Sequence, residues 1–142
     1  MKNLLGCALG DGALKKDFGL LVLRVGVGCM MAFSHGLGKI TQYFSGDEIQ
    51  FADPIGLGQS MSLLLAGSSE FFCALALALG LATRLVSIPL IITMAVAVLV
   101  VHGDDPFQKK EFALLYLVPF ITLFFSGAGR FSVDRMIMGK QQ

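Results

Sequence analysis

The chain has 142 residues, of which 55% are hydrophobic and 15% charged, with a net charge of +1 and a mean hydropathy of +0.75. Soluble domains carry about 25% charged residues, so the composition is that of a single integral membrane domain. Without a basic excess there is no case for nucleic acid as a partner. The three cysteines, Cys7, Cys29 and Cys73, show neither a CxxC pair nor Cys/His metal spacing, which excludes a disulfide framework and leaves only one inter-helix pair, Cys29 with Cys73, open.

Residues 1–17 read as a short cytoplasmic lead. Leu4-Leu5-Gly6-Cys7 looks like a lipoprotein cleavage site, but far fewer than the usual 7–15 or so apolar residues precede the cysteine, and cleavage is not expected. The first apolar stretch, 18–37, extends in character to Ile40 and carries Arg24, His35 and Lys39. On a helix turning about 100° per residue, Arg24, Gly28, Met31, His35 and Lys39 fall on one stripe roughly 80° wide. A charge at mid-membrane costs roughly 2.5–3.5 kcal/mol, so Arg24 is expected to face the bundle interior with a partner. Gly28, Ala32 and Gly36 form a ridge of small residues suited to close helix contact, as do Ala66, Ala74 and Ala78 around Glu70. Gly26-Val27-Gly28 is no phosphate loop, because no strand precedes it.

The loop from Thr41 to Ser60 holds Gly46, Pro54, Gly56 and Gly58 and is a candidate lid or interfacial segment. Further apolar stretches cover 61–82, 85–101 and 112–127, the last being the shortest. The connection at Thr83-Arg84 is so short that the helices flanking it must be antiparallel neighbours. Pro89 and Pro119 are expected to kink their helices. Only helices or closed barrels cross lipid, and these stretches lack the alternation of barrel strands. The expected fold is all-α: an integral membrane four-helix bundle of antiparallel up-down topology. Lys2, Lys15, Lys16, Arg84, Arg130, Arg135 and Lys140 flank one side; Lys39, Lys109 and Lys110 flank the other, among six acidic residues. The positive-inside rule then puts both termini, including the tail 137–142, in the cytoplasm.

Two polar groups stand out. Arg24 and Glu70 are the buried charges, and pairing them is the simplest way to neutralise both. His35, Lys39, His102 and Glu111 are expected to gather at the outer face, where a His/His/Glu set could hold a quinone head group, a haem or a metal, or relay protons. Each histidine alone is more often an interfacial or capping residue. Asp104 and Asp105 before Pro106 read as a turn. At the far end, Gly127 and Gly129 close the last helix, and Ser132 is placed to cap a short amphipathic segment.

In order and spacing these pieces resemble the DoxX family of small bacterial membrane proteins. The resemblance rests on Leu23-Arg24, on His35-Gly36 followed by Lys39, and on Glu70, His102 and Glu111. It closes on the C-terminal signature with Gly127, Gly129, Ser132 and Asp134, and covers residues 18–136. Ala128 departs from it, standing where the family often has Pro. The resemblance implies a four-helix protein of the bacterial inner membrane. Its function is implied loosely: the family is named for a subunit of a thiosulfate:quinone oxidoreductase, and relatives are linked to thiol and oxidative-stress systems.

The preferred expectation is a redox-linked, quinone-associated subunit embedded in the lipid bilayer and working with a partner oxidoreductase. Quinone is favoured over haem or metal, and no catalytic residue is assigned. The alternatives are a non-catalytic membrane anchor or assembly factor, and a small-molecule or proton transporter acting as a homo-oligomer.

Overall fold

The structure, a computed structural model, describes residues 12–139. Lys2 and Lys140, used above for topology, and Cys7 lie outside the described residues. All regular structure within them is helical. The first rod comprises α1 (Gly12–Met31), a π turn (Ala32–Gly36) and α2 (Leu37–Phe44); the second comprises α3 (Gln59–Ser68), a π turn (Ser69–Cys73) and α4 (Ala74–Leu79). The third is α5 (Thr83–Val96), ending in a π turn (Ala97–Val101), and the fourth is α6 (Phe107–Ser126). A short α7 (Val133–Met138) follows.

Burial follows the stripes that a 3.6-residue period requires. Leu20, Arg24, Met31 and Ala32 face inward from the first rod, Leu63, Ala74 and Leu77 from the second, Thr83, Ser87, Leu90 and Met94 from the third, and Tyr116, Phe120 and Leu123 from the fourth. The outward faces are apolar as well: Phe18, Val22, Phe72, Leu99, Leu115, Val118 and Phe125 are all more than half exposed. Such a surface is a liability in water and suits lipid.

Three helices are long and apolar enough to cross a membrane: Leu14–Phe44, Gln59–Leu79 and Thr83–Val101. α6 is not among these three, because Lys109, Lys110 and Glu111 fall in its first turns; its apolar run begins at Phe112, where the expected fourth stretch does. The first rod is also longer than the expected 18–37, continuing through the π turn to Phe44.

α1 packs along α4, α2 against α3 and α5 along α6. The π turns of the first two rods face each other. The ridge of small residues makes this approach close. A methyl group added at Gly36 would lie 2.5 Å from the Glu70 carbonyl, and one at Gly28 would lie 2.7 Å from Ala74 O and 2.9 Å from Ala78 Cβ. The helical assignment runs unbroken through Pro89 and Pro119, and none of the three π turns contains a proline.

Candidate functional site

The two facing π turns bring polar side chains together in the apolar interior. A π turn inserts one residue into a helix, widening it and swinging the residues that follow, and such turns recur at functional sites. His35 lies within the first and Glu70 within the second. One turn past the first, Lys39 Nζ donates to Glu70 Oε2. Glu70 is deeply buried, whereas the Lys39 side chain is 23% exposed. The lysine stem passes over Gly67, whose missing side chain makes room for it. The pair therefore has one shut side and one accessible side.

His35 completes the group from the other flank. Its ring meets Tyr116 edge-on at a centroid distance of 5.5 Å and Phe112 at 6.3 Å. Tyr116 is buried, stacks on Phe120 at 6.1 Å and lies within electrostatic range of Glu70. Beside Glu70, the buried Ser69 hydroxyl has no hydrogen-bond partner among the described residues. An ammonium donor, a carboxylate, an imidazole and a phenol ring thus converge where three rods meet.

This grouping corrects two sequence-based expectations. The first is the Arg24–Glu70 pair: Arg24 bonds to the carbonyls of Ala78, at 2.6 Å, and Phe131. The cause is helix ending. α4 stops at Leu79, so its last carbonyls lack intrahelical partners. Leu81 N–H takes Ala76 O, Gly80 N–H takes Leu77 O, and the guanidinium takes Ala78 O. A cation at a helix C-terminus is also favoured by the helix dipole. Glu70 lies eight residues before Ala78, roughly 12 Å along the helix, and Lys39 neutralises it instead.

The second is the convergence of His35, Lys39, His102 and Glu111. His102 turns to its own loop, where Nδ1 lies 2.8 Å from Asp105 Oδ2, while Lys109 reaches Asp105 Oδ1 at 3.1 Å. The hydrogen bond from His102 and then that from Lys109 hold the Asp105 carboxyl below the usual carboxylate range. Glu111 is exposed at the start of α6. Among the described residues no three His, Cys, Asp or Glu side chains gather as a metal site, and Cys29 and Cys73 are free thiols. Tyr116 was missed because a lone tyrosine on an apolar helix reads as core.

The C-terminal signature is structural. Ser132 caps α7, accepting from the Arg135 amide. The Asp134 carboxylate accepts from the amides of Ala82, at 2.6 Å, and Thr83, at 3.0 Å, and so caps α5 from a distant part of the chain. Arg130 N–H donates to Asp17 at the start of α1. Gly80 adopts φ +71°, and a side chain there would collide with Arg24 and Ser132.

Fold and surface together define a multi-pass helical membrane protein. The DoxX family pattern matches residues 19–103, and the chain belongs to the DoxX family. It is 34% identical over 124 residues, covering 85% of this chain and 88% of the other, to a Bacillus subtilis (strain 168) protein named "Putative oxidoreductase CatD". No solved structure matches the chain.

Proposed function

We propose that this chain is the membrane subunit of a redox system, with His35, Lys39 and Glu70 holding a quinone head group beside Tyr116. The observation that carries the reading is the Lys39–Glu70 pair, set between two π turns in an apolar interior and open on the lysine side. A bundle that needed only packing would gain as much from apolar residues there.

The residues fit the ligand class. Quinone carbonyl oxygens accept hydrogen bonds, and Lys39 and His35 can donate. Phe112 and Tyr116 offer apolar ring surface. A bound quinone would supply the redox chemistry, taking electrons from a partner oxidoreductase. The chain's own part is to orient the head group, exclude water and keep a proton on Lys39 or pass one through Glu70. The name of the Bacillus subtilis relative supports the redox reading. His102 and Glu111 fall outside this group.

In this proposal α6 is a fourth span, both termini face the cytoplasm and the bilayer is a bacterial inner membrane. Protein purified gently from native membranes should carry near-stoichiometric quinone by mass spectrometry. A stable partner complex with no bound quinone would favour the anchor reading instead.

A further inference from the structure

At the opposite end of the molecule from Lys39, the turn between α4 and α5 and the segment after α6 enclose a cleft of about 530 Å³. Arg84 and Arg135 line it, with Ser132 and the backbones of Gly127 and Gly129 between them and Leu85 and Ile137 at its apolar edge. We infer that this cleft binds the phosphate head group of an anionic phospholipid, with acyl chains lying on Leu85 and Ile137.

Three observations support this occupant. First, both guanidiniums are available. Among the described residues no hydrogen bond or ion pair engages the Arg135 side chain, and that of Arg84 makes one long bond, 3.4 Å, to Phe125 O. Second, the acid in the cleft is already committed: Asp134 accepts from Ala82 and Thr83 and neighbours Arg24. The net field therefore favours an anion. Third, Leu85 is 68% and Ile137 51% exposed, so apolar surface adjoins the cations at the ends of helices that cross the membrane. A soluble anion has no use for those side chains, whereas a phospholipid matches both parts. The Asp134 caps and the Arg130–Asp17 contact fix the geometry. The site is independent of the quinone reading.

The test is native mass spectrometry of the detergent-purified full chain with phosphatidylglycerol or phosphatidylcholine. Phosphatidylglycerol should be retained roughly tenfold better. Arg84→Gln with Arg135→Gln should remove that preference, with helix content by circular dichroism unchanged, because the one bond of these guanidiniums, Arg84 to Phe125 O, is long and exposed. Lys109→Gln, at the other end, should leave it intact. Equal retention of the two lipids by the wild type would overturn the inference, as would an unchanged preference in the double variant. So would displacement of the lipid by inorganic phosphate at equal concentration, which would make this a free-phosphate site. If the double variant does not insert, the comparison of the two lipids on the wild type decides alone.

Discussion

Lys39 and Glu70 are an ion pair that bridges two helices at facing π turns, one partner nearly sealed and the other reachable. Removing Lys39 strands the buried Glu70 carboxylate, so Lys39→Met should destabilise the protein by roughly 3–5 kcal/mol. Glu70→Leu leaves only the reachable Lys39 ammonium and should cost less. The double variant should be less damaged than the sum, with a coupling of about 1–3 kcal/mol in thermal or denaturant unfolding. Arg24→Met combined with Glu70→Leu should instead be additive, because Arg24 is held by Ala78 and Phe131. Coupling between Arg24 and Glu70 of the size expected for Lys39 would contradict the assignment.

Gly36 sets how close those π turns can come. An added methyl group would sit 2.5 Å from Glu70 C and O, and main-chain atoms cannot move aside as a flexible side chain can. Gly36→Ala should therefore separate the first two rods and cost about 1–3 kcal/mol or more. Gly26→Ala on the same rod meets nothing within 4 Å and should be nearly neutral. Equal effects in a thermal-shift comparison would show that the rods do not pack as described.

Asp134 caps α5 with both carboxylate oxygens. Asp134→Ala leaves the Ala82 and Thr83 amides unsatisfied and should lower stability by roughly 1–2 kcal/mol. Ala82 itself sits at φ +48°, where a side chain is strained. Ala82→Gly should be neutral or stabilising by up to about 1 kcal/mol. A marked loss of stability in Ala82→Gly would refute that backbone geometry.

The loop between α2 and α3 is tied by Asp53, which accepts from the amides of Gly58 and Leu57 and from the Ser62 hydroxyl, all at 2.9 Å. The Gly58 amide first, and then Ser62, hold its carboxyl below the usual carboxylate range. A folded-state pKa that is lowered gives stability that is complete above the unfolded value and is lost as pH falls through the folded one. Protection of the Leu57 and Gly58 amides should thus persist through the ordinary carboxylate range and fade only below it. In Asp53→Asn that acid dependence should vanish. An acid transition at the ordinary value would argue against the tie.

Much of this architecture was legible in the sequence. The stripe through Arg24, Gly28 and Met31 faces the core as its spacing requires, and the cap at Ser132 forms. The partners of the charges were not legible, for two reasons. Straight-helix arithmetic cannot register π turns, which swing Lys39 and Glu70 relative to the residues before them. It also treats carboxylates as the natural partners of an arginine, although a helix C-terminus offers carbonyls that need donors. His102 followed a third pattern: a local acid three residues on, Asp105, took it before any distant helix could. The signal was present in the Asp104-Asp105-Pro106 turn.

His35 separates most cleanly the proposed ligand site at His35, Lys39 and Glu70 from a packing device. Its ring packs edge-on against Phe112 and Tyr116, so truncation leaves no buried charge unpaired. The decisive measurement is quinone binding to wild type and to His35→Ala in lipid nanodiscs, with unfolding followed on the same samples. Saturable binding by the wild type, weakened roughly tenfold in His35→Ala at near-equal stability, is the predicted result; one lost donor is worth about 1.4 kcal/mol. Non-saturable partitioning in the wild type, or identical binding curves for the two proteins, would contradict the claim.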